Sequence, residues 1–168
     1  MVCGVVSIQP QGLKLWKAQE AEVFPLTRQN DVSHIVWSPL AQGLLTGKYK
    51  PGEQPPADSR AASESMNEAM GIVMTDEALE AVQRLVPIAE EAGLSMVELA
   101  LAWVLRRSEL ASAIIGASRP EQVHSNAAAS GVDLSQSTLE AIDEALGEVP
   151  VKGQTLAPLA KEGVTHRG

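Results

Sequence analysis

Cysteine is nearly absent: Cys3 is the only one among 168 residues, so no disulfide can form within the chain. That fits a reducing compartment, and a cytoplasmic location is expected. Cys3 adjoins an apolar run and is expected to be an inert buried thiol, not a reactive one. Aromatic residues are also scarce, at three Trp, one Tyr and one Phe. Any chemistry that needs a phenol therefore has only Tyr49 to draw on. No stretch reaches the ~18–20 consecutive apolar residues of a membrane-spanning helix, and no membrane partner is expected. The opening Met1-Val2-Cys3-Gly4 has no basic segment, so no secretory leader is expected. Positive charge is the minority sign, with 13 Lys and Arg against 21 Asp and Glu and a net charge of -8. That balance excludes general binding to nucleic-acid backbones, although a local basic pocket for one small anion remains open.

What is present suits a folded domain: 45% of residues are hydrophobic and 20% charged. The run Val2–Gln9 is β-branched and ends at Pro10, predicting a buried strand. A short amphipathic helix is expected over Glu20–Gln29, with Ala21, Phe24 and Leu26 as its apolar residues. Ser33–Trp37 predicts a second strand, stopped by Ser38-Pro39. Residues 39–74 hold several prolines and glycines and predict a long loop, with a turn of helix at Ala41–Leu45.

Helical spacing then takes over. Thr75 can cap a helix that carries Leu79, Val82, Val86 and Ala89 on one face and ends at Gly93. Ser95-Met96-Val97-Glu98 reads as a capping box opening a nearly all-apolar, buried helix to Leu105, with Arg106 and Arg107 at its end. Leu110–Ile115 predicts a third strand; Ser118-Arg119-Pro120-Glu121 reads as a further capping box for a helix to about Ser130. A last helix is expected over Ser137–Leu146, followed by a mobile tail over 148–168. Strands alternating with helices predict an α/β fold with a parallel sheet. Three such strands cannot close a barrel, and an open sheet of three leaves two edges to cover.

Two segments carry chemistry. In Ile35-Val36-Trp37-Ser38-Pro39-Leu40-Ala41-Gln42-Gly43-Leu44-Leu45-Thr46-Gly47-Lys48-Tyr49, an indole at a strand end precedes a glycine-containing turn. The ring either stacks on a planar heterocycle, with backbone N–H groups and Lys48 taking phosphate oxygens, or simply fills the core. It is not a phosphate-binding P-loop: three residues separate Gly43 from Gly47, and Tyr49 stands where Ser or Thr is required. In Ile114-Ile115-Gly116-Ala117-Ser118-Arg119-Pro120-Glu121-Gln122-Val123-His124-Ser125-Asn126, a strand feeds a glycine turn and a helix start, an arrangement that favours anions. Ser118 and Arg119 match a phosphate monoester, and Gln122 and Asn126 share a helical face. The alternative is that Ser118 caps the helix and Arg119 is solvated.

Together the two segments resemble the seventh and eighth strand ends of the aldo-keto reductase barrel. The nearest likeness is to the subgroup of bacterial reductases and potassium-channel beta subunits. Ser7-Ile8-Gln9-Pro10-Gln11 is similar to that family's sixth strand end. The resemblance implies a partial TIM (β/α)8 barrel over residues 1–147, comprising the last three strand-helix units and a carboxy-terminal helix. It further implies that NADPH is the cofactor and that the 39–74 loop covers it.

Residue by residue, the resemblance has Gln9 hold the nicotinamide carboxamide and Trp37 stack on the ring. Ser38, Pro39, Leu40, Gly43 and Lys48 would line the pyrophosphate, and Arg60 the adenosine end. Gly116, Ser118 and Arg119 would take the 2′-phosphate, and Gln122 and Asn126 the adenine. The family's Asp, Tyr, Lys and His tetrad lies on strands one to four, which these residues do not match. No catalytic residue is therefore assigned, and little reductase activity is expected of the chain alone. His34, His124 and His166 do not match the catalytic histidine and are expected to be structural or solvated. Gly12 stands where the subgroup has a tyrosine. Three functional readings remain: a reductase fragment, one half of a split barrel completed by an amino-terminal half, and a non-catalytic NADPH-binding or scaffold module that forms a homo-oligomer.

Overall fold

The β-branched residues of Ser33–Trp37 form the middle strand, β2, of a three-stranded parallel sheet in the computed structural model, which describes residues 7–8, 23–62 and 74–147. The expectations for Cys3, Gln9, Gly12, Ala21, residues 63–73 and the 148–168 tail lie outside the described residues. The sheet order is β1 (Ser7–Ile8), β2, β3 (Leu110–Ile114), with both pairings parallel. The helices are α1 (Val23–Gln29), α2 (Asp76–Glu91), α3 (Met96–Leu105), α4 (Pro120–Ala128) and α5 (Gln136–Leu146). Tight 3-10 turns occupy Ala41–Thr46 and Arg60–Ala62. Strand alternating with helix gives the expected α/β fold.

Register decides which side of each strand meets the helices. His34 pairs with Leu110 but Ile35 with Ser112, so Ala111 is an extra residue bulged out of β3. Beyond the bulge, Val36 lies opposite Ala113 and Trp37 opposite Ile114. Val36 is fully buried and Ala113 packs on the same core, which places that face against the helices. Trp37 and Ile35 lie on the other face, where they are half-buried and the facing Ser112 and Ile114 are exposed.

The core unites the sheet, the 41–46 turn and three helices: Val36, Leu44, Leu45, Val82, Leu85, Leu99, Trp103, Ile142 and Leu146 form one cluster. Each buried Leu or Val of this kind contributes about 1.5–3 kcal/mol relative to an exposed side chain. Local sequence accounts for the helix starts. Ala78 N–H donates to Thr75 Oγ1 at 3.2 Å, opening α2. Ser95 and Glu98 close the full capping box of α3, with Ser95 N–H to Glu98 Oε2 at 2.8 Å and Glu98 N–H to Ser95 Oγ at 3.2 Å. Hydrogen bonding by the Ser95 side chain and by its backbone N–H holds the Glu98 carboxyl below its usual range. Arg106 stacks over the Trp103 ring at 3.6 Å and bonds its carbonyl, finishing α3.

Two expectations are corrected. Leu26 is not an inward residue of α1: it is 61% exposed, while Phe24 and Thr27, three apart, are the buried pair. A helix of seven residues has one narrow inner stripe, and Leu26 falls outside it. Ser118 does not cap α4. The cap is Arg119, extended at φ -141° and ψ 147°, with no side-chain hydrogen bond and Pro120 as the first helical residue. The physical reason is proline itself: its fixed φ suits the first helical position, and its ring forces the preceding residue to be extended.

The opposite, amino-terminal end of the strands is held by charge. Glu109, just before β3, accepts from Arg28 of α1 and lies 3.7 Å from Arg107, while its backbone carbonyl accepts from His34 N–H at 2.9 Å. Burial works against ionisation of Glu109, yet its own backbone amide and the Arg28 guanidinium hold the carboxyl below its usual range. His34 is wholly buried in edge contact with Phe24, ring centroids 4.4 Å apart. Thr27 Oγ1 donates to the Phe24 carbonyl at 3.1 Å, so it accepts from His34 Nε2–H at 2.5 Å. This histidine is part of the core, as its position in the strand suggested.

Candidate functional site

Trp37 is the last residue of β2 and Ile114 the last of β3, so both chemical motifs leave the same end of the sheet. After Trp37 the backbone turns sharply. Ser38, Ala41 and Gln42 take positive φ values of 52°, 50° and 60°, followed by Gly43 at 102° and Gly47 at 75°. Only Gly43 and Gly47 among these five lack a Cβ to strain. The turn is fixed at its base by core packing: Ala41, Leu44, Leu45 and Tyr49 are buried, which leaves Lys48 projecting outward. Lys48 Nζ lies 5.0 Å from the Tyr49 ring centroid. Tyr49 Oη is buried and has no hydrogen-bond partner among the described residues.

Side chains stitch the two motifs together through the long loop. Gln42 Nε2 donates to Ser38 Oγ at 3.0 Å, and Gln42 Oε1 accepts from Arg60 Nη1 at 3.0 Å. The other end of that guanidinium overlies the second motif: a Cβ built on Gly116 would meet Arg60 Nη2 at 3.9 Å. Two residues earlier, Asp58 Oδ2 lies 3.6 Å from Arg119 Nη2. The 39–62 loop thus folds back across the strand ends, carrying Arg60 between Ser38 and Gly116.

Around α4, Gln122 Oε1 accepts from Ser118 N–H at 2.7 Å and from Ser118 Oγ at 3.1 Å. The Gln122 carbonyl oxygen is therefore spent on Ser118, and its NH2 is the part turned elsewhere. Asn126, one turn on, is half-buried. Of the residues singled out from sequence, Trp37, Ser38, Pro39, Leu40, Gly43, Lys48, Arg60, Gly116, Ser118, Arg119, Gln122 and Asn126 all sit on the loop, strand ends and helix start described here. Gln42 and Asp58 were not anticipated. Gln42 lies inside the quoted motif, but its role needs the left-handed turn; Asp58 gives no local signal. A cavity of about 20 Å³ lined by Leu45, Leu85, Trp103 and Ile142 belongs to the core and touches none of these residues. Among the described residues no His, Cys, Asp and Glu group is arranged to hold a metal ion, and no helix is long and apolar enough to cross a membrane.

The model of the aldo/keto reductase family matches residues 1–146. The chain belongs to the aldo/keto reductase family. It is 39% identical over 107 residues to a probable voltage-gated potassium channel subunit beta of Arabidopsis thaliana, covering 64% of this chain and 32% of that protein. It is 36% identical over 132 residues to the NADH-specific methylglyoxal reductase of Escherichia coli, covering 76% of this chain and 38% of the enzyme. Its fold matches the glycerol dehydrogenase of Gluconobacter oxydans with a TM-score of 0.67 and 26% identity, over 86% of this chain and 43% of that one. The chain therefore spans about a third to under half of the length of these relatives. Aldo/keto reductases use nicotinamide cofactors, and the relatives include reductases and a dehydrogenase.

Proposed function

We propose that this chain is the cofactor-binding, carboxy-terminal part of an NADPH-dependent aldo/keto reductase barrel, acting in the cytoplasm. The observation that carries the reading is Arg60: one guanidinium reaches Gln42 in the first motif and overlies Gly116 in the second. Two segments far apart in sequence thereby line one surface at the carboxy ends of the strands, where ligands bind in barrels of this class.

The residues fit the cofactor chemically. In a chain with a net charge of -8, Arg60 lies near Gly116 of the second motif and Lys48 beside Gly43 of the first, with Arg119 at the start of α4; such cations suit a ligand carrying several phosphate charges. When bound, the nicotinamide supplies hydride to a carbonyl carbon. Trp37, half-buried at the end of β2, would stack on the ring, and Gln9 would hold its carboxamide. Ser38, Pro39, Leu40, Gly43 and Lys48 would line the pyrophosphate. Gly116, Ser118 and Arg119 would receive the adenosine 2′-phosphate, with Arg60 at the adenosine end and the NH2 of Gln122 and Asn126 at the adenine. The proton donor and the substrate pocket would come from the other half of the barrel, on the same or a separate polypeptide.

The test is a titration of the purified chain with NADPH, following tryptophan fluorescence, with NADH in parallel. Saturable quenching, weaker with NADH and lost in Arg119→Ala, is expected. Equal affinity for the two cofactors would sink the 2′-phosphate assignment, and tighter binding of NADH would align the chain with its NADH-specific relative. Absence of any quenching would overturn the reading of a cofactor site on this half.

A further inference from the structure

Lys48 is exposed, and a flexible lysine on a loop would reach a phosphate only at an entropic cost unless its backbone were held. The structure shows what holds it. Gln83, on the face of α2 turned toward the turn, sends both N–H groups of its side-chain amide across to it. Gln83 Nε2 lies 3.0 Å from the carbonyl oxygen of Gly47 and 2.9 Å from that of Tyr49. These are the carbonyls on either side of Lys48. The same residues are fixed by packing: Tyr49 is 2% exposed. A Cβ on Gly47 would lie 3.3 Å from Met96 Cγ and 3.7 Å from Val86 Cγ2, so the turn is seated directly on α2 and α3.

We infer that Gln83 is a positioning residue for Lys48, clamping the two flanking carbonyls so that the ammonium is presented at the strand ends. It touches no part of the ligand surface itself; it acts through the backbone at Gly47 and Tyr49. The amide is the right group for this. Two N–H donors on one nitrogen match two carbonyls two residues apart, whereas a glutamate would bring only acceptors to the same oxygens. The assignment rests on the reading of Lys48 as a ligand to the cofactor pyrophosphate.

The experiment is a double-mutant cycle on the full chain, with NADPH titration as the readout and thermal unfolding as the control for folding. Gln83→Met keeps the length and removes both donors; it is expected to weaken NADPH binding roughly 3–10-fold through lost preorganisation. In a Lys48→Ala background the same change is expected to cost nothing further. An equal loss in both backgrounds would show that Gln83 supports the fold alone, and would overturn the inference. No loss in Lys48→Ala itself would instead overturn the role of Lys48, and no binding by the unmodified chain would overturn the cofactor reading. Should Gln83→Met fail to fold, Gln83→Ala, which leaves space for water at both carbonyls, carries the same cycle.

Discussion

Gly47→Ala tests whether the turn after Trp37 is seated on the helices as described. Two costs arise at this position. Gly47 has φ of 75°, a conformation that costs a residue with a Cβ about 1–2 kcal/mol. The new methyl would also lie 3.3 Å from Met96 Cγ, forcing that side chain to move. Because methionine is flexible, this second cost is at the low end of overpacking, about 0.5–1 kcal/mol. The sum is about 2 kcal/mol, which lowers the melting temperature of a domain this size by about 4–8 °C. Gly52 supplies the control: its φ is 72°, and a Cβ there would meet nothing within 4 Å. Gly52→Ala therefore carries the backbone cost alone, about 1–2 kcal/mol. The assay is thermal unfolding by circular dichroism, repeated for Gly47→Ala combined with Met96→Ala. The combined variant should lose less than the two single losses added together, since the contact is relieved. Strict additivity, or a Gly47→Ala loss no larger than that of Gly52→Ala, would refute the seating of the turn on α3.

Three further outcomes are expected. Burial holds the His34 pKa below its ordinary value, with nearby Glu109 raising it and Arg107 lowering it in turn. The folded imidazole is then neutral where the unfolded one begins to protonate, near pH ~6.5. Stability is complete above that pH and falls as the pH drops through it toward the folded pKa. Urea midpoints measured from pH 8 to 5 should show this slope in the natural chain and lose it in His34→Gln; the same slope in both would refute the assignment. Glu109→Gln leaves Arg28 and Arg107 facing a neutral amide, and a loss of about 1–3 kcal/mol in urea unfolding is expected. A loss under a few tenths would show that the charge cluster does not secure the strand starts. Asp58→Asn removes an exposed partner of Arg119 and should leave stability within about 0.5 kcal/mol. If Asp58 competes with the 2′-phosphate, the same variant tightens NADPH binding about 2–5-fold at low salt while NADH is unmoved; a parallel change in both would point to loop order instead.

Much of this protein was legible in local sequence. The strand at Ser33–Trp37 was marked by β-branched residues and stopped by Ser38-Pro39, and α2 and α3 were announced by Thr75 and by the Ser95–Glu98 box. Those signals are interactions between residues at most four apart, so the chain carries them wherever it folds. The family resemblance was legible too, because the turn after Trp37 and the stretch from Gly116 to Asn126 are similar, as runs of residues, to motifs of the aldo/keto reductase family. The start of α4 was misplaced by one residue because two local rules competed: the serine cap lost to the constraint that Pro120 puts on Arg119.

What tertiary structure alone decided is everything that spans long separations. Gln83 reaches residues 34 and 36 positions away, and Arg60 reaches Gln42 18 positions back. No periodicity encodes such contacts, because they depend on how helices sit against the sheet. The bulge between His34 and Ile35 is the clearest case. One extra residue in β3 lets Leu110 and Ala113, three apart, both pack on the core, beside the unbroken alternation of β2 that buries His34 and Val36 and leaves Trp37 on the other face. Local sequence encodes the elements and the residue types they carry. Only packing, through register and burial, determined which residues meet at the strand ends.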